Sequence, residues 1–384
     1  MYPDLSYFFH DLLGSSRDNW TSVFKTYGLF LVMAILLAAW LLWKDLLRRE
    51  AEGQFPPLRV AVLANARASW QDYLFNALFG FFVGFKLLYA LLHFGELQAD
   101  AAGLIFSTKG SWAGGLLGLL AALGAFWLAE RKKQAAGPPR QAWAERLPHH
   151  AVGDITIIAA VSGVVGAKIF DILERLPEFF DDPLGVFFSG SGLAIYGGLI
   201  GGFIGVALGL RRRQIAILPF GDALAPGLMA AYGLGRLGCH FSGDGDWGVT
   251  AAPQPDGWFL PDWLWSYNYP HNILREGIPI DGCSDIYCMQ LAQGVYPTSI
   301  YEAIMAFSLA AGLWWVRKPL QKIPGQLFAL YLLLNGLERW VIEKIRVNQR
   351  YDFALGLTQA EIIALSISLT GLLLWLWLRQ KNRA

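Results

Sequence analysis

Gly235-Arg236-Leu237-Gly238-Cys239-His240-Phe241-Ser242-Gly243-Asp244-Gly245-Asp246-Trp247-Gly248 is the stretch on which the reading of this chain turns. It follows directly on an apolar segment and sets five glycines, one arginine, two aspartates and one histidine in fourteen positions. Such a run suits close backbone approach and the holding of charge at the end of a hydrophobic span. The remainder of the chain then reads as a membrane scaffold that holds this stretch at one face of a bilayer.

Composition points the same way. The 384 residues are 55% hydrophobic and 16% charged, with 16 Trp and 25 Phe, too apolar for an ordinary soluble domain of this length. A net charge of +1 lacks the basic surplus that phosphate contacts require, which argues against a nucleic-acid partner. Three cysteines make no disulfide scaffold, although Cys283 and Cys288 share one polar loop and could pair in an oxidising compartment. Residues 1–19 are mixed and acidic, without the pattern of a cleaved signal, so the first span is expected to act as its own insertion signal.

Windows of the roughly 20 apolar residues that cross a bilayer fall at 27–43, 73–92, 112–129, 153–173, 193–210, 217–237, 298–316, 325–343 and 360–378. Basic residues gather in alternate gaps: Lys44, Arg48 and Arg49; Arg131, Lys132, Lys133, Arg140 and Arg146; Arg211 to Arg213; Arg317, Lys318 and Lys322; Arg379, Lys381 and Arg383. The positive-inside rule makes those gaps cytoplasmic. The expected fold is an all-α polytopic membrane protein of about nine transmembrane helices, its N-terminus outside and its C-terminus cytoplasmic. The region 239–297 then becomes a large extracytoplasmic loop, rich in Pro, Trp, Tyr and Asp.

The chain reads as a single membrane domain, 1–384, with an internal repeat. Asp72, Lys86, Gly103, Phe106 and Ser107 recur 82 positions later as Asp154, Lys168, Gly185, Phe188 and Ser189. Residues 60–130 thus form an additional hairpin resembling 142–212, and 130–150 reads as a cytoplasmic linker with Pro138 and Pro139. The second copy has Tyr196-Gly197-Gly198 where the first has Ala113-Gly114-Gly115, so function is expected in the second.

An arginine inside hydrocarbon costs about 2.5–3.5 kcal/mol on insertion scales, so Arg236 either snorkels to head groups or has a partner. Its planar fork suits a phosphate or carboxylate. Arg339 is similar, with Glu343 four residues on and Arg346 three beyond that, a spacing that also describes an intrahelical ion-pair ladder. Gly197 and Gly198 fit tight helix packing. Tyr196 and Tyr27 are interfacial anchors or hydrogen-bonding groups of a site. Glu302 starts a span from the outer side, as a helix N-terminal charge or as an arginine's partner. Asp222 reads as an N-terminal charge only. His240 is the histidine beside the glycine run and is suited to titrate near neutral pH. No spaced metal set is present, and neither a metal nor a cofactor is expected.

In order and spacing these residues resemble the bacterial prolipoprotein diacylglyceryl transferases. The family's Gly-Arg-x-Gly, followed by a Gly-acidic pair and a further glycine, is similar to Gly235-Arg236-Leu237-Gly238 through Gly243-Asp244 to Gly248. Tyr27-Gly28, the glycine pair 197–198, Pro297 to Tyr301-Glu302, and Arg339 to Glu343 and Arg346 also match in order. The resemblance implies transfer of a diacylglyceryl group from phosphatidylglycerol to the lipobox cysteine of preprolipoproteins, at the periplasmic face of the inner membrane. It implies that Arg236 and Arg339 hold the head group, that Asp244 and Glu343 orient them, and that Tyr27, Gly197, Gly198, Gly248 and Glu302 line the substrate. The departures are Tyr196 in place of the family's histidine, Cys239 in place of an asparagine, one extra residue before Gly248, and the added hairpin. A tyrosine, near pKa ~10, is a poor base. Either Tyr196 positions substrate while His240 takes the proton, or the chemistry has changed. The alternatives are a non-catalytic phospholipid-binding or lipid-moving homologue, and a transferase with another acceptor.

Overall fold

The computed structural model describes residues 1–99, 101–187, 194–347, 350–351 and 357–382. Phe188 and Ser189 of the second repeat copy, and Arg383, lie outside the described residues. The chain is mostly helical: α1 Leu5–Leu13, α2 Thr26–Ala51, α3 Trp70–Leu92, α4 Phe94–Ala99, α5 Ala101–Phe106, α6 Trp112–Ala135, α7 Val152–Glu174, α8 Leu176–Asp181, α9 Pro183–Phe187, α10 Ile195–Arg212, α11 Ile217–Ser242, α12 Thr298–Leu320, α13 Gln326–Ile342 and α14 Gln359–Lys381. Each of the nine apolar windows coincides with one long helix. Among the described residues seven helices are long and apolar enough to cross a membrane. α10 and α13 are not among them: they are 18 and 17 residues long, and charged residues occupy their last turns.

The chain divides into two compact units, Met1–Glu52 with Leu210–Ala384, and Gly53–Gly209. In the first, α11 is the central helix. Its small residues let neighbours come close, Gly238 against Phe30 of α2 and Gly233 against Ala306 of α12. Ala225, Met229, Ala306, Leu313 and Leu327 form the buried core. Asp222 does more than charge its own helix start. Its fully buried carboxylate accepts from Gly325 N at 2.7 Å and Phe328 N at 2.8 Å, satisfying the orphan N–H groups that open α13. At that end of the bundle buried Asp45 holds Arg48, Arg49 and Arg317 at 2.8, 2.7 and 3.0 Å.

In the second unit, Gly84 of α3 meets the Gly114 carbonyl of α6, and Gly166 of α7 meets that of Gly197 in α10. The glycines thus serve close helix packing in both hairpins. Lys86 turns its ammonium onto the carbonyls of Leu104 at 2.9 Å, Ser107 at 2.5 Å and Lys109 at 2.8 Å, whereas Lys168 pairs with Asp171 at 3.0 Å. The linker 130–150 needs one correction: Leu58–Ala64 (β1) pairs antiparallel with Arg140–Arg146 (β2), Ala61 opposite Trp143. Neither segment shows the strict apolar–polar alternation of a half-buried strand: Arg59 is the polar residue of the first, and in the second the polar residues lie in pairs at the two ends. Two shorter ribbons, Ile278–Pro279 (β3) with Met289–Gln290 (β4) and Arg350–Tyr351 (β5) with Leu357–Thr358 (β6), belong to the first unit.

Candidate active site

α11 runs through the first part of the glycine-rich stretch and ends inside it, at Ser242. Gly243, at φ 64, takes the left-handed conformation of a helix C-cap, its N–H bonded to Cys239 O at 3.0 Å. Gly245, also left-handed at φ 94, turns the chain so that Asp246 comes back toward α11. Gly248 is fixed by close approach: its N–H reaches Tyr296 O at 2.9 Å, and a Cβ there would stand 2.7 Å from Ile345 O. Val249 N donates to Ile345 O at 2.9 Å, tying this loop to the turn that carries Arg346.

These tethers gather six charged side chains. Glu302 of α12, fully buried, accepts from Arg339 at 3.3 Å and Arg346 at 3.1 Å through Oε1. Its Oε2 meets Arg236 Nε and accepts the Tyr232 hydroxyl at 3.0 Å. Asp246 bridges Arg236 and Arg346, one oxygen to each. Arg339 also pairs with Glu343 at 2.8 Å, and Glu343 accepts from Thr358 Oγ1 at 2.7 Å. Arg236 lies over the Tyr232 ring, 5.0 Å from its centroid. Three guanidinium groups are thus matched by three carboxylates, in side chains no more than 28% exposed.

The loop acids have opposite environments. Burial works against the Asp246 charge, yet Arg236 and Arg346 hold its carboxyl below the usual carboxylate range. Asp244 is pushed up by burial and then by the neighbouring Asp246. Arg346, despite its burial, is held charged by Asp246 and Glu302, its pKa raised.

Of the residues singled out from sequence, Arg236, Arg339, Glu302 and Glu343 come together in one network, and Gly248 buttresses it. Asp244 does not orient Arg236, as the resemblance implies it should. Asp246 does, because the left-handed Gly245 redirects the chain between them. Tyr27 packs beside Gly238, with Asp244, Arg236 and Asp246 as its charged neighbours. His240 is buried in a box of Phe241, Trp263, Tyr267 and Tyr269 rings. Its Nδ1 meets the Tyr269 hydroxyl at 3.2 Å rather than a member of the arginine network. Tyr196, Gly197 and Gly198 open α10 of the second unit, where Tyr196 is half-buried.

Arg346, Asp246, Tyr232 and Thr358 join the network without having been picked as site residues. Tyr232 stands one helical turn before Arg236, a spacing that sequence alone shows. Cys239 Sγ and the Asp244 and Asp246 oxygens lie within 4.8 Å of one another, but the two guanidinium groups on Asp246 oppose a cation there.

The sequence model of the family described as prolipoprotein diacylglyceryl transferase matches residues 113–377. The chain belongs to this family. Among relatives named phosphatidylglycerol–prolipoprotein diacylglyceryl transferase, the protein of Corynebacterium glutamicum is 27% identical over 265 residues, 67% of this chain and 76% of its own. That of Dehalococcoides mccartyi is 28% identical over 296 residues, 75% of this chain and 97% of its own. A transferase 2 of Clostridium perfringens is 28% identical over 221 residues, 57% and 76% of the two chains. The family match takes in Arg236, the acidic loop, Glu302 and Arg339 to Arg346, and leaves out α2 and α3.

Proposed function

We propose that this chain transfers the diacylglyceryl group of phosphatidylglycerol to the lipobox cysteine thiol of preprolipoproteins, at the periplasmic face of the inner membrane. The observation that carries the reading is the convergence of Arg236, Arg339 and Arg346 on one buried carboxylate, in a chain of this family. In the reaction a C–S bond forms at the glyceryl carbon, the C–O bond to phosphate breaks, and glycerol phosphate leaves as an anion. Guanidinium groups already held in place stabilise that charge as it develops, without reorganising. The phosphate competes with Asp246, the most exposed acid of the network, for Arg236 and Arg346. His240 is the proposed base: with its Nδ1 donating to Tyr269, Nε2 is free to accept the thiol proton. Tyr27 and Gly248 line the substrate.

The same reading gives nine spans, α10 and α13 included, with the N-terminus and 239–297 outside. The Cys283–Cys288 disulfide supports an oxidising compartment for that loop. It also makes the second repeat copy the functional one and 60–130 an added hairpin. Expression in a conditional transferase-null strain, followed by detection of lipidated prolipoprotein, tests the proposal. No lipidation despite good membrane expression refutes it. A second reading, phospholipid binding without turnover, is favoured by the enclosure of His240 among aromatic rings. It is distinguished by bound phosphatidylglycerol that stays intact when a lipobox peptide is added.

A further inference from the structure

α13 carries another buried acid, which the network above does not employ. Glu338, the residue before Arg339, is 5% exposed, and neither of its carboxyl oxygens has a hydrogen-bond partner among the described residues. Tyr232 and Arg236 face it from α11, Glu302 from α12 and Arg339 from its own helix. α14 meets this level of α13 at Ala364 and Ser368, which bear no charge. The single proton of the Tyr232 hydroxyl goes to Glu302, so Tyr232 offers Glu338 an oxygen lone pair and no donor.

A carboxylate buried without donors and beside a second carboxylate is costly in its charged form. A protonated carboxyl in the same place brings its own donor, and the Tyr232 oxygen can accept from it. The net charge points the same way. Arg236, Arg339 and Arg346 are matched one for one by Asp246, Glu302 and Glu343. With Glu338 neutral, that set has no net charge. With Glu338 ionised, a negative charge is added where an anionic head group has to bind.

We propose that Glu338 is a positioning residue that carries a proton in the resting site, hydrogen-bonds through Tyr232 to Glu302, and must keep that proton for an anionic phospholipid head group to bind. It acts through Tyr232 and Glu302 and does not itself touch the substrate. The inference about binding rests on the transferase reading above, while the protonation of Glu338 stands on the burial and the missing donors. Asp244, also pushed up by burial, sits by Cys239 and Asp246, so variants at 338 separate the two.

The full-length protein, assayed with phosphatidylglycerol vesicles and a lipobox peptide, gives KM for the phospholipid and kcat across pH. In the wild type KM rises by about tenfold per pH unit once Glu338 ionises, as proton linkage requires. Glu338→Gln, which has the shape of the neutral acid, keeps the low-pH KM throughout, and Glu338→Asp restores the rise. The kcat dependence that reports thiol ionisation is common to all three. A Glu338→Gln profile of KM that coincides with the wild type overturns the proposal. Infrared spectra supply a readout without turnover: the wild type shows a protonated-carboxyl C=O band that Glu338→Gln lacks. If the wild type transfers nothing, the transferase reading fails, and the band still decides on the proton. Absence of the band overturns the proposal.

Discussion

Glu302 is the residue on which the site's stability turns, since one fully buried carboxylate receives Arg236, Arg339, Arg346 and the Tyr232 hydroxyl. Removing one partner of a buried ion pair costs about 3–5 kcal/mol, because the other charge is left uncompensated. Glu302→Gln should therefore lower unfolding stability in detergent by about that amount and abolish transfer; an unchanged melting temperature contradicts the shared role. Arg236→Ala and Arg339→Ala should each abolish transfer while leaving membrane insertion intact, and activity in both would remove the head-group role. For Asp246, the folded pKa lies below the unfolded value. Its contribution is therefore present above about pH 3.9, the unfolded value, and is lost as pH falls through the folded pKa. Melting temperature should fall on acidification through that window in the wild type, and less steeply in Asp246→Asn. Arg236, Arg339 and Glu302 were legible in the sequence because they fall inside apolar windows, where charge is costly. The choice of Asp246 over Asp244 was not, because it depends on a left-handed glycine between them. Glu338 escaped notice because its neighbour Arg339 already explained a charge at that place.

At the scale of elements, the helix windows were readable from hydropathy, while α11 continues past its window, which closes at 237, and ends at Ser242 inside the glycine run. The ribbon β1–β2 is not legible in the sequence, because its two strands lie about 80 residues apart and neither alternates apolar and polar residues. The service of Asp222 to α13 was equally hidden, since it joins residues more than 100 positions apart. Gly248 tests the loop. A methyl there would press on Ile345 O and on Thr298 Cγ2 at 2.8 Å, against backbone that carries the Arg346 turn. Gly248→Ala should cost about 1–3 kcal/mol and lower transfer more than it lowers membrane expression. Gly235→Ala, with nothing within 4 Å of the added Cβ, is the matched control for expression and melting temperature.

For the whole molecule, orientation decides whether the arginine network can serve a thiol acceptor outside the cell. Two independent features argue that 239–297 faces outward. The alternate gaps carrying Arg48, Arg131, Arg212, Arg317 and Arg379 are the basic ones, and the disulfide Cys283–Cys288 lies in the loop opposite to them. Labelling with a membrane-impermeant thiol reagent can test this in intact spheroplasts with low background. Cys239 is buried, and the other two native cysteines are bonded to each other. Asp256→Cys, at an exposed loop position, should label without permeabilisation. Arg212→Cys and Lys381→Cys, both exposed, should label only after it. The even placement of 212 and 381 on one side requires an even number of crossings between them, which α11 to α14 supply if α13 spans. Labelling of 212 from outside and of 381 only after permeabilisation would remove α13 from the set of spans. Labelling of both from outside, with 256 protected, would invert the protein and place its arginines away from the periplasm.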